Sequence, residues 1–490
     1  MPQFPVLYCI LLIFFASLFL TAAHADQDTN LRLNQGIDYR ASRQERDLLK
    51  VESASATLVI DGRGYQVANN LSDLGRALYL TVQRQQWGDV AFFRIRYIAL
   101  PGHDRMLLAY VDGALARADG DLQEAELHYR NLLRMQADFL PGQLELARVL
   151  FENHKDREAG ALFQQIAQRL DPDDRRTQGV LNTINSYTNA LERREAWQGS
   201  FATGPTWSDN LNRSSESRTT YRLASSEGVY VIERRMPEAV SGEGLDYEAT
   251  LNRRMAVSGH HGVFAKALAY GQAYSHQGKY NEDTFVSNAG YNYEDARNQF
   301  SVGPSFEYNR IGSDSMYSAW GLRGEWTRNL TLTSLIKLEA EYKDLAYKGS
   351  YGKLYDGGAA SLYATLWQAL PQQWTIFGGF DVTDRGARDE TEAYFQKGLR
   401  FGLAKEFDSG ISTVLFASWR TRQFNAYSNL LEARRHEDEY NYTFIVRAPR
   451  LAVYDFVPSL TVKLNEVQSN VSWLYSYARS SVSIKLEKQF

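Results

Sequence analysis

Few residues of this chain are spaced for covalent chemistry. The sequence has no Gly-x-Ser-x-Gly elbow to expose a nucleophilic serine, no Gly-rich loop ending in Gly-Lys-Ser/Thr to cradle a phosphate, and no His-Glu-x-x-His to hold zinc. His260 and His261 are neighbours on an apparent strand, where adjacent side chains point to opposite faces, so an exposed or turn role is expected rather than a shared metal. Ser208 and Asp209 leave a hydrolytic site open on spacing alone. The one cysteine, Cys9, stands inside an apolar run; a chain that loses this run has no thiol for a disulfide, a thiolate metal site or a nucleophile. The expectation is a protein with no catalytic residue, no cofactor and no metal.

The two ends of the sequence carry more information than any constellation. Residues 6–23 are almost wholly apolar, Ala23-His24-Ala25 has the small-x-small pattern of a cleavage site, and polar Asp26-Gln27-Asp28 follows. Residues 1–25 are therefore read as a secretory signal peptide, the alternative being an uncleaved anchor, because the first five residues carry no Lys or Arg and the apolar run approaches spanning length. At the other end, Val482, Ile484, Leu486 and Phe490 fall on one side of a strand and Ser481, Ser483, Lys485 and Glu487 on the other. A strand with one apolar face at the end of the sequence, closing on an aromatic residue, resembles the last strand of an outer-membrane β-barrel, although Lys488 stands where such strands usually carry an apolar residue. Phe490, Leu486 and Ile484 are expected at the seam, where a barrel in a bilayer must close on itself.

Composition agrees. Beyond residue 25 no apolar stretch is long enough to span as a helix, whereas 13% aromatic residues and 35 glycines against 11 prolines suit strands with aromatic girdles. A net charge of -4 without a basic stripe argues against nucleic acid as a partner.

The clearest internal boundary lies near Trp197. Before it, apolar residues recur at helical spacing, and three segments superimpose at an offset of 34: Ala91, Ala125 and Ala159; Ile95, Tyr129 and Phe163; Ile98, Leu132 and Ile166. This is the period of tetratricopeptide repeats, whose stacked helix pairs form a groove that binds extended peptides or partner proteins. Residues 71–196 are expected to form such an α-solenoid, preceded by a lead segment over 26–70.

After Gln198 the period becomes two. Phe300, Val302, Phe306 and Tyr308 alternate with Ser301, Gly303, Ser305 and Glu307, and Trp320, Leu322 and Trp326 with Gly321, Arg323 and Glu325. Strands are predicted near 199–210, 243–257, 261–276, 281–295, 298–311, 314–328, 331–346, 354–370, 372–384, 394–407, 410–425, 438–448, 453–465 and 474–490. These are long enough to cross a bilayer at a tilt, and their number is even, as bacterial barrels require. The fold class is thus α + β multidomain: an N-terminal tetratricopeptide-like solenoid, then a transmembrane antiparallel β-barrel of about 14 strands over 197–490. Short turns such as 295–297 would face the periplasm and longer ones such as 348–353 and 385–392 the exterior. The break at 211–242 is either an outer loop with its own strand at 229–234 or a piece folded into the lumen.

A leader, a short repeat domain and a barrel that opens GPTWSDNLNRSS, Gly204 to Ser215, resemble the surface lipoprotein assembly modulators, called Slam proteins, of Gram-negative bacteria. The most distinctive element is Asp209, Asn210, Asn212 and Arg213, similar to an Asp-x-Asn-x-Asn-like stretch of that family. The resemblance implies an outer-membrane translocon, its helical domain in the periplasm, that delivers client surface lipoproteins or secreted haem-acquisition proteins to the exterior. Periplasmic chaperones, the barrel assembly machinery and outer-membrane lipid are the further partners implied; the client-binding residues are unknown. The competing expectation is a polysaccharide-export or solute porin, which would call for a lumen charged against its cargo.

Overall fold

The computed structural model describes residues 67–490 apart from 226, 227 and 351. The expected leader, and the lead segment up to residue 66, lie outside the described residues.

Seven helices come first: α1 (Leu71–Gln83), α2 (Trp87–Ile98), α3 (Arg105–Ala118), α4 (Leu122–Met135), α5 (Leu140–Glu152), α6 (Asp156–Ala167) and α7 (Gln178–Glu195). Asn70, Asp104 and Asp121 cap α1, α3 and α4 by accepting from the amides of Asp73, Met106 and Glu124, which satisfies donors the helix leaves free. The first helix of each pair ends on a left-handed residue two beyond its last turn: Gln85, Gly120 and His154. Each pair is closed by tight packing; a Cβ on Gly113 of α3 would lie 2.8 Å from the Tyr129 ring of α4.

These left-handed positions also correct one sequence expectation. Gly120 and His154 keep the period of 34, but Gln85 and Gly120 are 35 apart, so the first repeat is one residue longer. Ala125, Ala159, Tyr129, Phe163, Leu132 and Ile166 are buried as expected, whereas Ala91, Ile95 and Ile98 are exposed. Their places are taken one residue earlier by Val90, by Arg94 paired to Asp112 of α3, and by Tyr97. A slip of one residue turns a helix by about 100°, enough to move a whole stripe out of the core.

The barrel strands are β1 (Gln198–Ser208), then β4 (Gly242–Ser258), β5 (His261–Tyr274), β6 (Glu282–Glu294), β7 (Asn298–Ile311), β8 (Asp314–Asn329) and β9 (Ser334–Tyr347). They continue with β10 (Gly357–Leu370), β11 (Trp374–Arg385), β12 (Tyr394–Glu406), β13 (Ser412–Ser428), β14 (Ala433–Arg447), β15 (Val457–Ser469) and β16 (Tyr477–Gln489). β2 (Arg218–Ser225) and β3 (Gly228–Arg235) form a separate hairpin within the long β1–β4 connection, outside the barrel sheet. Fourteen antiparallel strands close in sequence order, β1 pairing with both β4 and β16. Closure leaves no unpaired edge to be solvated, the condition for spanning a bilayer with strands.

The two faces of the barrel divide as the alternation requires. Trp320, Leu322, Leu399, Phe401, Ile484 and Leu486 point outward, each more than half exposed, and form part of the belt that lipid covers. Alternate residues turn into the lumen and are buried there, among them Arg323, Glu339, Asp381, Arg420 and Glu439.

Replacing Gly113 with Val should force the Tyr129 ring aside and destabilise the repeats by about 1–3 kcal/mol. In detergent the helical transition of the full chain should then melt earlier, while the heat-modifiable gel mobility of the barrel stays unchanged.

Candidate functional site at the seam, lumen and rim

Three regions place functional side chains together. The first is the seam. At its periplasmic end, Gly199 and Phe490 exchange backbone hydrogen bonds of 2.9 and 3.0 Å. Phe490, Leu486 and Ile484 lie on the outward, lipid-facing side. At the outer end, the Asp209 carboxylate accepts from the Ser480 amide at 2.7 Å, Ser208 Oγ donates to the Ser480 carbonyl at 3.0 Å, and Asn210 Nδ2 donates to the Ala478 carbonyl at 2.9 Å. Ser208 and Asp209 are thus engaged in joining strands; they do not form a hydrolytic pair. Asn212 bridges the far side of the same loop, donating to the Glu238 carbonyl and accepting from the Val240 amide. Arg213, left-handed and almost fully buried, pairs with Glu282 at 3.0 Å. The four residues Asp209, Asn210, Asn212 and Arg213 therefore fold the chain leaving β1 over the top of the barrel and tie it to β16, β6 and the approach to β4.

The second region is the lumen. Arg323 pairs with Glu325 at 2.8 Å and with Glu339; Lys343 with Glu307 at 2.7 Å; Asp381 with Arg400 at 3.1 Å and Arg420 at 3.4 Å; Arg422 with Glu439; Arg447 with Glu487 at 2.8 Å. Opposite charges stand beside one another, Asp381 serving two arginines, so their removal from water is offset in groups and these residues set up no single-signed field. A polyanion or polycation channel would need that field. On the β9–β14 side the periplasmic end of the wall is apolar: Leu335, Trp367, Phe377, Val414, Phe416 and Ile445 pack into one buried cluster. The Trp367, Phe377 and Phe416 rings lie in a stacked row at 6.3 and 6.2 Å. At the outer end Arg435 sits between the rings of Phe424 and Tyr475, at 3.6 and 4.2 Å, and bonds Glu392 at 2.5 Å.

The third region is the periplasmic rim, where the helices meet the barrel. Asp156, the first residue of α6, is almost fully buried and accepts from Arg194 of α7 at 2.8 Å and from Arg254 of β4 at 2.9 Å. Arg254 also holds Glu294, the last residue of β6, at 2.9 Å. Around this centre Arg157 donates to the Val257 carbonyl, Arg253 to that of Glu195 and Arg297 to that of Gly120. The repeats therefore lie against the turns after β4 and β6. Burial pushes the His154 imidazole down to about 3, with Arg194 acting in the same direction, so it meets Glu294 at 3.5 Å as a neutral ring. His260 is in the neighbouring β4–β5 turn, against the Glu294 carbonyl, and His261 opens β5, against the Tyr291 hydroxyl.

Asp156, Arg254 and the apolar floor were not singled out in sequence, because no local spacing joins an α6 carboxylate to a β4 arginine 98 residues away. Pro205 was not singled out either, although a proline inside a strand is itself a signal of an edge or an interruption.

Asp156→Ala should leave Arg254 and Arg194 without their shared carboxylate and weaken docking of the helices by about 3 kcal/mol. Limited proteolysis of the full chain in detergent would report it as faster release of a helical fragment. The His154 shift sets a sign as well. A folded-state value below the unfolded one means the undocked form binds more protons, so docking is intact above about 6.5 and weakens as pH falls below it. The same proteolysis at pH 7.5 and 5.5 should show faster release at 5.5, and His154→Gln should flatten the difference.

Comparison with known proteins places this architecture. The family model described as surface lipoprotein assembly modifier matches residues 197–490, and that described as its N-terminal TPR repeats matches residues 61–163. Among curated proteins the chain is 43% identical to the hemophilin secretion modulator of Acinetobacter baumannii, over 95% of this chain and 97% of that one. It is 25% identical to surface lipoprotein assembly modifier 1 of Neisseria meningitidis, over 90% and 87%. It is 26% identical to surface lipoprotein assembly modifier 2 of Haemophilus influenzae, over 80% of each. With its helical repeats docked on the rim of a closed 14-stranded barrel, the chain belongs to the surface lipoprotein assembly modifier family.

Proposed function

We propose that this protein is an outer-membrane translocon that delivers particular client proteins, surface lipoproteins or secreted haem-acquisition proteins, from the periplasm to the cell surface or exterior. The observation that carries the proposal is similarity across nearly the whole chain, repeats and barrel together, to a protein named as a secretion modulator. A simple pore would have no use for the helical half. In this reading the chain divides into a leader over 1–25, a lead segment over 26–70, repeats over 71–196 that hold the client, and the barrel over 197–490. Periplasmic chaperones hand the client over in an unfolded or partly folded state. The barrel assembly machinery inserts the strands, and lipid covers the belt around Ile484 and Leu486. No nucleotide is needed: folding of the client outside biases its movement.

The side-by-side opposite charges of the lumen favour this function over a polysaccharide or solute porin, whose wall would be charged against its cargo. The role is transport, and the hydroxyl and carboxylate of Ser208 and Asp209 are structural in it.

Surface display tests the proposal. The chain is expressed in a Gram-negative host beside a hemophilin or a surface lipoprotein, with and without residues 71–196, and intact cells are scored by antibody binding and protease shaving. Display or release of at least one client should require the full chain, and removal of the repeats should lower it at least about tenfold, a loss equivalent to about 1.4 kcal/mol of client binding. Absence of display for every client, together with ion conductance by the purified barrel, would refute it.

A further inference from the structure

The geometry points to the β1–β16 seam, rather than the lumen axis, as the place where the client crosses the membrane; this rests on the translocon function proposed above. Two groups of observations carry it, one from the lumen and one from the seam.

The wall of the lumen is bound together by packed and paired side chains. The cluster around Trp367, Phe377 and Phe416 occupies the periplasmic end of its β9–β14 side. The buried ion pairs of Arg323, Asp381 and Arg422 occupy the middle, and Arg435 between Phe424 and Tyr475 the top. These contacts join neighbouring strands of the wall, Arg323 of β8 to Glu339 of β9 and Asp381 of β11 to Arg400 of β12, so parting that side of the barrel would leave buried charges without their partners.

The seam is the shortest ladder in the barrel. Seven positions pair between β1 and β16, against eleven to fourteen between every other adjacent pair of barrel strands. Pairing stops at Thr203↔Leu486 and resumes at Thr206↔Ser483, omitting Gly204 and Pro205. Gly199 and Asp209 both donate their amides toward β16, and the two-residue alternation puts Pro205, which has no amide hydrogen, on that same side. Pro304 interrupts the β6–β7 ladder in the same way, yet eleven positions remain paired there.

What holds the seam is mostly reversible and polar. Lys485 of β16 reaches across the side-chain-free Gly204 to Asp246 and Glu248 of β4 at 3.4 and 3.7 Å, and Thr206 and Ser483 share a hydroxyl contact of 2.8 Å. The lumen face of β1 is otherwise Ser200, Ala202, Thr206 and Ser208, small residues that leave little to unpack. The outward face is apolar, with Phe201, Trp207, Ile484 and Leu486 exposed to lipid. An extended client segment entering here would pair its backbone with the parted strands, keep polar side chains toward the lumen and leave acyl or apolar groups in the bilayer.

A disulfide across the seam tests this. Thr206→Cys with Ser483→Cys puts the only two thiols of a leader-cleaved chain at the break in the ladder, and the oxidising periplasm closes them. Ser418→Cys with Asn441→Cys, a register pair between β13 and β14, is the control lock. Hemophilin release and lipoprotein display are scored before and after a membrane-permeant reductant, with oxidation verified by non-reducing gel shift. The oxidised seam lock should lower both by about tenfold or more and recover on reduction, while the control lock changes neither. Wild-type display from the oxidised seam lock overturns the proposal and leaves the translocon intact. Absence of display from the unlocked chain overturns the translocon and the seam with it. If the cysteine pair fails to insert, Pro205→Val supplies the test by restoring a ladder donor: display falls about threefold or more, as one added hydrogen bond predicts, and unchanged display overturns the seam.

Discussion

Closure of the barrel is the constraint on which the rest of the molecule depends. In hydrocarbon every strand amide and carbonyl must find a partner within the protein, so fourteen strands are stable there only if the first and last meet. The meeting is made at both ends with side-chain and terminal groups: Asp209 and Asn210 against β16 outside, Phe490 against Gly199 inside. Between them lies Pro205, a residue that a sheet ordinarily confines to edges. The seam is closed at both ends and has the fewest paired positions of the ladders.

The interior follows from the same alternation. Outward positions must be apolar for lipid, so inward positions take the polar residues, and charges such as Arg323, Glu339, Asp381 and Arg420 are buried there. They pair, Arg323 with Glu325 and Glu339, Asp381 with Arg400 and Arg420. Near the periplasm, on the β10–β13 side, polar pairing gives way to the Trp367, Phe377 and Phe416 row. At the rim Asp156 couples the barrel to the helices through Arg254, so the repeat groove is held at a defined place relative to β4 and β6. The repeats and the barrel are thereby joined through a buried ion-pair network.

Legibility in the sequence tracked the range of the interactions. The strands showed themselves because a period of two is local and the lipid belt enforces it over a dozen residues at a time; all fourteen were located, and β14 alone began well before its expected start, at Ala433, where the charged run Arg434 to Asp438 hides the alternation. The repeats were visible through Tyr129, Phe163, Leu132 and Ile166. The first copy was misaligned by one residue because Gln85 and Gly120 are 35 apart where Gly120 and His154 are 34 apart, so a fixed period of 34 loses its phase. The Asp209 to Arg213 stretch stood out by resemblance, but its hydrogen-bond partners 26 to 271 residues away did not.

The sequence by itself determined the class: helical repeats, then an even set of amphipathic strands, one ending on Phe490 with its apolar face outward. This much is set by periodicity, and periodicity is a property of neighbours in the chain. Only the tertiary structure decided what closes against what. The omission of Gly204 and Pro205 from the seam ladder, the reach of Lys485 over β1 to Asp246, and the grip of Asp156 on Arg254 all join residues far apart in sequence. Their energies depend on burial and register, which exist only once the barrel has closed.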